Sequence, residues 1–259
     1  MKQSERCTAL LCGLCLIAPV FADDADTAFS WSAGVDISRG DYGGDVDIEE
    51  LRVPLILRVD RQRIGFGLVI PYLSVKGPPV TAATDPDGDP VLETGDRVTE
   101  SGLGDVVASL TIYDVFYSQD LDLAFDLTGT VKLGTADEDK DLGTGETDFT
   151  LIADLVKFFD QLMLIGSAGY KFRGDPEDVD LNDTVMASVG GVFELSDRTR
   201  AGLFFDYREA SLADEDAIEE LTFSLSRQLT ENYALQVFVY KGFTDSTVDW
   251  GAGFLVQVL

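Results

Sequence analysis

Hydrophobic and polar residues alternate along most of this chain with a period of two. Between residues 121 and 133, Leu121, Leu123, Phe125, Leu127, Val131 and Leu133 fall on one side, and Asp122, Asp126, Thr128, Thr130 and Lys132 on the other. Successive side chains of a β-strand point to opposite faces, so this is the strand period. The alternation returns with Leu51, Val53, Leu55, Leu57 and Val59 against Arg52 and Arg58. It returns again with Leu221, Phe223, Leu225 and Leu229 against Glu220, Thr222, Ser224, Ser226 and Gln228. The pattern predicts strands over 27–39, 46–60, 62–75, 104–117, 120–133, 146–159, 161–173, 183–196, 198–210, 217–230, 232–243 and 247–259. An all-β chain of about twelve strands is expected.

The connections alternate in length, which periodicity by itself does not require. Short turns are expected at Asp60-Arg61, Ser118-Gln119, Asp160, Asp197 and Glu231. Between them lie longer, acidic, Gly-rich segments at 40–45, 76–103, 134–145, 174–182 and 211–216, with a short exception at Thr244 to Ser246. Short turns at one end and long loops at the other are the pattern of outer-membrane barrels. The expected fold is therefore a single closed antiparallel transmembrane β-barrel, in which closure leaves no lipid-exposed edge. The strands are also longer than the roughly 9 to 11 residues a tilted strand needs to cross the hydrocarbon.

Aromatic residues collect at the two expected interfaces. Phe116, Tyr117, Phe158, Phe159 and Tyr233 stand beside short turns, and Tyr72, Tyr170, Phe172, Tyr207, Tyr240, Phe243 and Trp250 near long loops. They read as girdles; in a water-soluble sandwich, the competing architecture, they would be core. Pro54 and Pro71 fall inside strands, where each removes a ladder donor, so bulges are expected at both.

The first residues add an address. Lys2 and Arg6 precede an apolar run from Cys7 to Val20, and Val20-Phe21-Ala22 stands before Asp23-Asp24. Residues 1–22 read as a secretory signal peptide cleaved after Ala22, leaving 23–259 as the barrel. Cys7, Cys12 and Cys15 all leave with it, none in a lipoprotein context, so no disulfide or thiol metal site is expected in the exported chain. The leader carries two of the 19 basic and one of the 47 acidic residues, leaving a net charge of about −29. Such a surface repels nucleic acid. With 45% hydrophobic residues, including 16 Phe, 8 Tyr and 2 Trp, the acidity does not read as disorder.

From about Gly102 onward a further pattern runs through Ser101-Gly102-Leu103-Gly104-Asp105, Leu142-Gly143-Thr144-Gly145-Glu146-Thr147-Asp148 and Ala168-Gly169-Tyr170-Lys171-Phe172. It continues with Leu195-Ser196-Asp197-Arg198, Asp206-Tyr207-Arg208-Glu209-Ala210-Ser211, Tyr240-Lys241-Gly242-Phe243-Thr244-Asp245 and Asp249-Trp250-Gly251. Their ordered succession over roughly the last 150 residues resembles the outer-membrane barrel family named after the meta pathway of phenol degradation. The resemblance implies an outer-membrane transporter that passes small, often aromatic or apolar, molecules. One departure is that the chain ends Phe254-Leu255-Val256-Gln257-Val258-Leu259, where outer-membrane chains tend to finish on an aromatic residue.

Candidate chemistry is narrow. The chain holds no histidine, so the Ser-His and Asp-His sites of barrel phospholipases and proteases are excluded. Ser/Lys or paired-carboxylate chemistry stays formally open, but acidic pairs are too frequent for proximity to mean much, and no enzymatic activity and no cofactor is expected. An autotransporter would need a passenger ahead of the strands, which begin almost at once. The polar faces of the strands offer Asp36, Arg52, Arg58, Asp122, Asp126, Asp154, Lys171, Arg173, Asp206, Arg208, Glu220 and Asp249 as lumen-lining candidates. Charges of both signs in one cavity can set a transverse field that selects permeants, or can merely satisfy one another in a plugged interior.

The loop over 76–103, with Gly77-Pro78-Pro79 and Asp85-Pro86-Asp87-Gly88-Asp89-Pro90, is long enough to gate. Neither that cluster nor Asp137-Glu138-Asp139-Lys140-Asp141 has EF-hand spacing, so no metal site is assigned. Two functions are carried forward: a channel or transporter for small molecules, and a non-conducting surface or structural barrel whose acidic loops contact ions or lipopolysaccharide. The expected partners are outer-membrane lipid and lipopolysaccharide, a small-molecule solute and the barrel-assembly machinery, around a monomer in the outer membrane of a Gram-negative bacterium.

Overall fold

The computed structural model describes residues 27–42, 46–77, 83–84, 90–91, 98–137, 140, 142–174, 176, 181–212 and 215–259. The leader read over 1–22 and the Asp85 to Asp89 stretch of the acidic loop lie outside them. The strands are β1 Ala28–Gly40, β2 Ile48–Arg61, β3 Ile64–Gly77, β4 Ala83–Thr84, β5 Pro90–Val91, β6 Val98–Leu103, β7 Val106–Ser118 and β8 Leu123–Leu133. They continue with β9 Asp148–Phe158, β10 Leu162–Phe172, β11 Thr184–Ser196, β12 Thr199–Arg208, β13 Ile218–Gln228, β14 Tyr233–Gly242 and β15 Trp250–Val258.

Each wall strand pairs antiparallel with its neighbours in sequence, and β1 pairs with β15, from Trp31 opposite Val258 to Arg39 opposite Trp250, which closes the sheet. β6 and β7 both pair with β3 and are one wall strand broken at Gly104-Asp105. The result is a closed antiparallel barrel of twelve wall strands. β4 and β5 form a small separate hairpin within the longest loop. That loop is thus shorter than its expected span over 76–103. The wall holds to Gly77 and resumes at Val98, in Val98-Thr99-Glu100-Ser101-Gly102-Leu103, where a single Leu and a single Val leave the period-two signal too weak to read.

The prolines act on their flanks. Pro54 stands opposite Pro71 in a β2–β3 register that runs without a slip. Beyond Pro71, Tyr72 pairs with Leu103 but Val69 with Val107, so three steps along β3 meet four along β6–β7: a bulge, as expected. At Pro54 the expected bulge is absent. The β1–β2 ladder instead passes over Gly34-Val35 and Val53-Pro54 and resumes in the same register. A missing N–H removes a ladder bond without requiring an extra residue.

Burial is inverted relative to a water-soluble domain. Phe66, Leu151 and Val189 on the outer face are 46%, 58% and 62% exposed, whereas Asp36, Asp154 and Thr128 on the inner face are 3%, 3% and 1% exposed. A continuous apolar belt far exceeds the few hundred Å² a soluble monomer tolerates. Covering it with hydrocarbon is favourable by about 25 cal/mol for each Å² of apolar surface removed from water. Among the expected girdle residues, Phe116, Tyr117, Phe159, Tyr233, Tyr72, Tyr170, Phe172, Phe243 and Trp250 are exposed, and Tyr207 is half-buried. Phe158 and Tyr240 turn inward instead: Phe158 packs on a buried apolar cluster and Tyr240 bonds to Asp36. Both follow the parity of their strands, which overrides proximity to the interface.

Candidate functional site

The inner face carries charge at three places. Near the long-loop end, Asp36 on β1 stands opposite Arg52 on β2 and accepts a hydrogen bond from Tyr240 Oη at 3.0 Å. Arg52 reaches Glu50 Oε1 through Nη2 at 2.7 Å and Nε at 3.0 Å. Beyond β15 and β14, Asp206 on β12 stands opposite Glu220 on β13, and Glu220 lies within electrostatic range of Arg208, Arg52 and Asp36. Five residues named from the sequence therefore meet at one level, and Glu50 and Tyr240 join them.

At the same end of the opposite wall, Lys132 Nζ lies 2.8 Å from Asp105 and 3.4 Å from Asp148, and Lys171 Nζ 2.8 Å from Asp148. Two lysines and two aspartates alternate. The carboxylates also hold backbone: Asp105 Oδ1 accepts from the amides of Thr135 and Ala136, and Asp148 Oδ1 from that of Gly174. This cluster fixes the bases of two loops to the rim. Only Lys171 of the four is among the lumen-lining candidates of the sequence. Lys132 shares its parity with Asp126, which is the signal that would have found it, whereas Asp105 sits in the break between β6 and β7.

Toward the short-turn end, Arg58 Nε binds Asp60 Oδ2 at 2.6 Å, and Arg58 Nη2 donates to Tyr113 Oη at 2.5 Å. Tyr113 Oη in turn donates to Asp60 Oδ1 at 2.7 Å. Across the wall Asp126 on β8 stands directly opposite Asp154 on β9. The backbone N–H of Asp114 donates to Asp126 Oδ1 at 2.6 Å, and the Ser167 hydroxyl donates to Asp154. Asp114 has φ 48° and occupies a bulge in β7, where Ile112 pairs with Leu127 but Phe116 with Phe125. The bulge turns two consecutive residues, Tyr113 and Asp114, into the interior, an arrangement that a smooth alternation cannot reveal.

Three candidates fall elsewhere. Asp122 lies in the turn before β8, with φ 45°, its N–H directed to Gln119 O at 3.4 Å. Arg173 follows β10, its N–H donating to Asp183 Oδ1 at 2.9 Å. Asp249 is exposed just before β15.

Apolar side chains share the interior with these charges. Ala124, Val156, Ile165, Val192 and Phe204 form a buried cluster on the inner face of β8–β12, with Phe158 and Met163 packed on it. Against the other wall, between β13–β15 and β1–β3 with β7, lies a cavity of about 60 Å³.

No family model matches the chain and no curated protein matches it. Among solved structures, an outer-membrane channel from Pseudomonas putida F1 aligns with a TM-score of 0.70 at 12% identity, over 92% of this chain and 98% of that one. This chain has the fold of an outer-membrane β-barrel. The barrel also aligns with the KdgM porin at a TM-score of 0.50 and 11% identity, over 89% of this chain and 98% of that one. The CymD monoaromatic hydrocarbon channel aligns with a TM-score of 0.44 at 9% identity, over 88% and 87%.

Proposed function

We propose that the barrel is a passive channel for small molecules. The observation that carries this reading is an inner face that holds charges of both signs on several strands, with a cavity of about 60 Å³ between β13–β15 and β1–β3 with β7. Asp36, Arg52, Arg208 and Glu220 form one level and Asp126 with Asp154 another. Rings of charged side chains select permeants by field rather than by fit alone, and the directly opposed carboxylates at the inner level favour cations there. The cavity has an apolar strip, with Ala234 and Leu255 in its lining, that suits a solute with an apolar part, as the cargo implied by the family resemblance would have.

The test is to refold residues 23–259 into planar lipid bilayers and record single-channel currents, for the parent and for Asp126→Asn/Asp154→Asn. Discrete steps are expected, with cation preference reduced in the variant. Correctly folded barrels that give no steps would overturn conduction and favour the non-conducting surface barrel. Steps with unchanged selectivity would remove Asp126 and Asp154 from the path.

A further inference from the structure

In the short-turn half the barrel is divided lengthwise. One wall, β8–β12, is filled by the apolar cluster around Phe204, itself 1% exposed. Water and polar solutes are excluded there, because hydrocarbon side chains offer no hydrogen bonds in exchange for hydration. The cavity lies against the opposite wall, so any passage through this half runs off the barrel axis.

The cavity wall is distinctive. Gln236 on β14 and Gln257 on β15 both line it. In the β14–β15 register Gln236 opposes Leu255 and Gln257 opposes Ala234, so the two carboxamides are diagonal neighbours on one face. Each residue is 5% exposed, and neither Nε2 has a hydrogen-bond partner within the protein. Folded proteins satisfy nearly all buried polar groups, so two adjacent amide donors without acceptors mark a place where something else takes the bond. Hydroxyls of Ser30, Ser32, Ser226, Ser109 and Thr111 add to the polar part of the wall. The only charged lining residue is Arg58, whose guanidinium is engaged by Asp60 and Tyr113, and Leu255 and Ala234 add an apolar strip beside the amides. A space of about 10–15 Å³ holds one water, so the cavity accommodates several waters or a compact solute.

We propose that Gln236 and Gln257 form the recognition site of an off-axis path for uncharged, oxygen-rich solutes, small polyols or carbonyl compounds with an apolar edge. The amides donate to the solute's oxygens, the hydroxyls exchange bonds with its own hydroxyls, and the apolar edge lies on Leu255. A site without free charge gives a zwitterion or ion no compensation for lost hydration. The assignment rests on the channel reading, and its test is kept separate from that reading.

Liposomes carrying the refolded barrel, residues 23–259, are placed in isotonic erythritol or in isotonic alanine, a zwitterion of similar size, and their swelling rates compared. Erythritol is expected to enter faster. One hydrogen bond corresponds to about a fivefold factor. The Gln236→Leu/Gln257→Leu variant should therefore lower the erythritol-to-alanine ratio about tenfold or more while KCl conductance in planar bilayers stays within about twofold. Phe204→Leu, on the other wall, should leave the ratio unchanged. Single Gln236→Met and Gln257→Met variants, closer in shape, serve if the double variant does not fold. An unchanged ratio in the glutamine variants with conductance intact, or no preference in the parent, overturns the assignment. Absence of KCl steps in the parent overturns conduction instead. Equilibrium dialysis of labelled erythritol against the detergent-solubilised barrel then decides the site: binding lost in the variant supports it, and no binding to the parent refutes it.

Discussion

Tyr113 shows how one side chain depends on space left by another residue. A Cβ built on Gly65 would stand 2.3 Å from Tyr113 Oη and 2.7 Å from Asp60 Oδ1, so glycine at that point lets the Arg58, Asp60 and Tyr113 set close. Gly65→Val forces the ring out, breaks bonds to both partners and overpacks the wall. A loss of about 2 kcal/mol in unfolding free energy is expected, measured by denaturant unfolding in detergent. Gly129→Val is the control, since its Cβ would meet nothing within 4 Å and β-branched residues suit a lipid-facing strand. Equal shifts in the two variants would refute the role given to Gly65. At this scale the sequence was legible through parity. Asp36, Asp126 and Asp154 were named because they alternate with apolar neighbours, and Lys132 and Asp60 could have been named the same way. Asp114 and Asp105 could not. The first enters through a bulge and the second through a strand break, and both depend on how partner strands register. Asp122 was misplaced in the opposite sense, because alternation carried on into a turn whose positive φ removes it from the strand.

Among elements, β2 and β3 form a wall segment with a weak seam on each side. Pro54 and Pro71 face each other, and the ladder is interrupted between β1 and β2 and slips between β3 and β6–β7. Fewer cross-strand bonds lower the cost of local opening. Hydrogen exchange on the folded barrel should therefore show the amides of Gly34, Val35 and Val53 exchanging about tenfold faster than mid-strand amides of β9–β12, whose registers run unbroken past Ser167 and Ala187. Equal protection would mean that bonds outside the ladder make up the deficit. The prolines themselves were plain in the sequence. Which side of the strand lacked a donor was not, because that depends on the phase of the ladder rather than on residue type. Element boundaries were the most legible feature of all. Ile218–Gln228 against an expected 217–230 is typical, since turn residues and the end of alternation coincide there.

At the scale of the whole molecule, the length alternation of the connections decided the architecture, and it did so because a membrane treats the two ends of a barrel differently. One end must be threaded across and favours short turns, while the other is free to grow. That asymmetry is written in the spacing of residues and needs no tertiary information. The interior division into an apolar wall and a polar one was not legible, because it depends on which inner residues of non-adjacent strands meet across the lumen. Export belongs to this scale as well. Mass spectrometry of the protein extracted from outer membranes is expected to give a chain beginning at Asp23, whereas a retained Met1 to Ala22 segment would refute the reading of those residues as a leader.

The register between β1 and β15 runs from Trp31–Val258 to Arg39–Trp250 without a slip. It joins the earliest wall strand to be synthesised to the last. Until β15 arrives, both β1 and β14 present a row of unpaired peptide groups to hydrocarbon, each a liability of several kcal/mol per group. The barrel therefore has no gradual route to maturity. A chain shortened within β15 is left with two raw edges rather than a slightly weaker wall, so damage there is expected to act as a switch between an inserted protein and one handed to proteases.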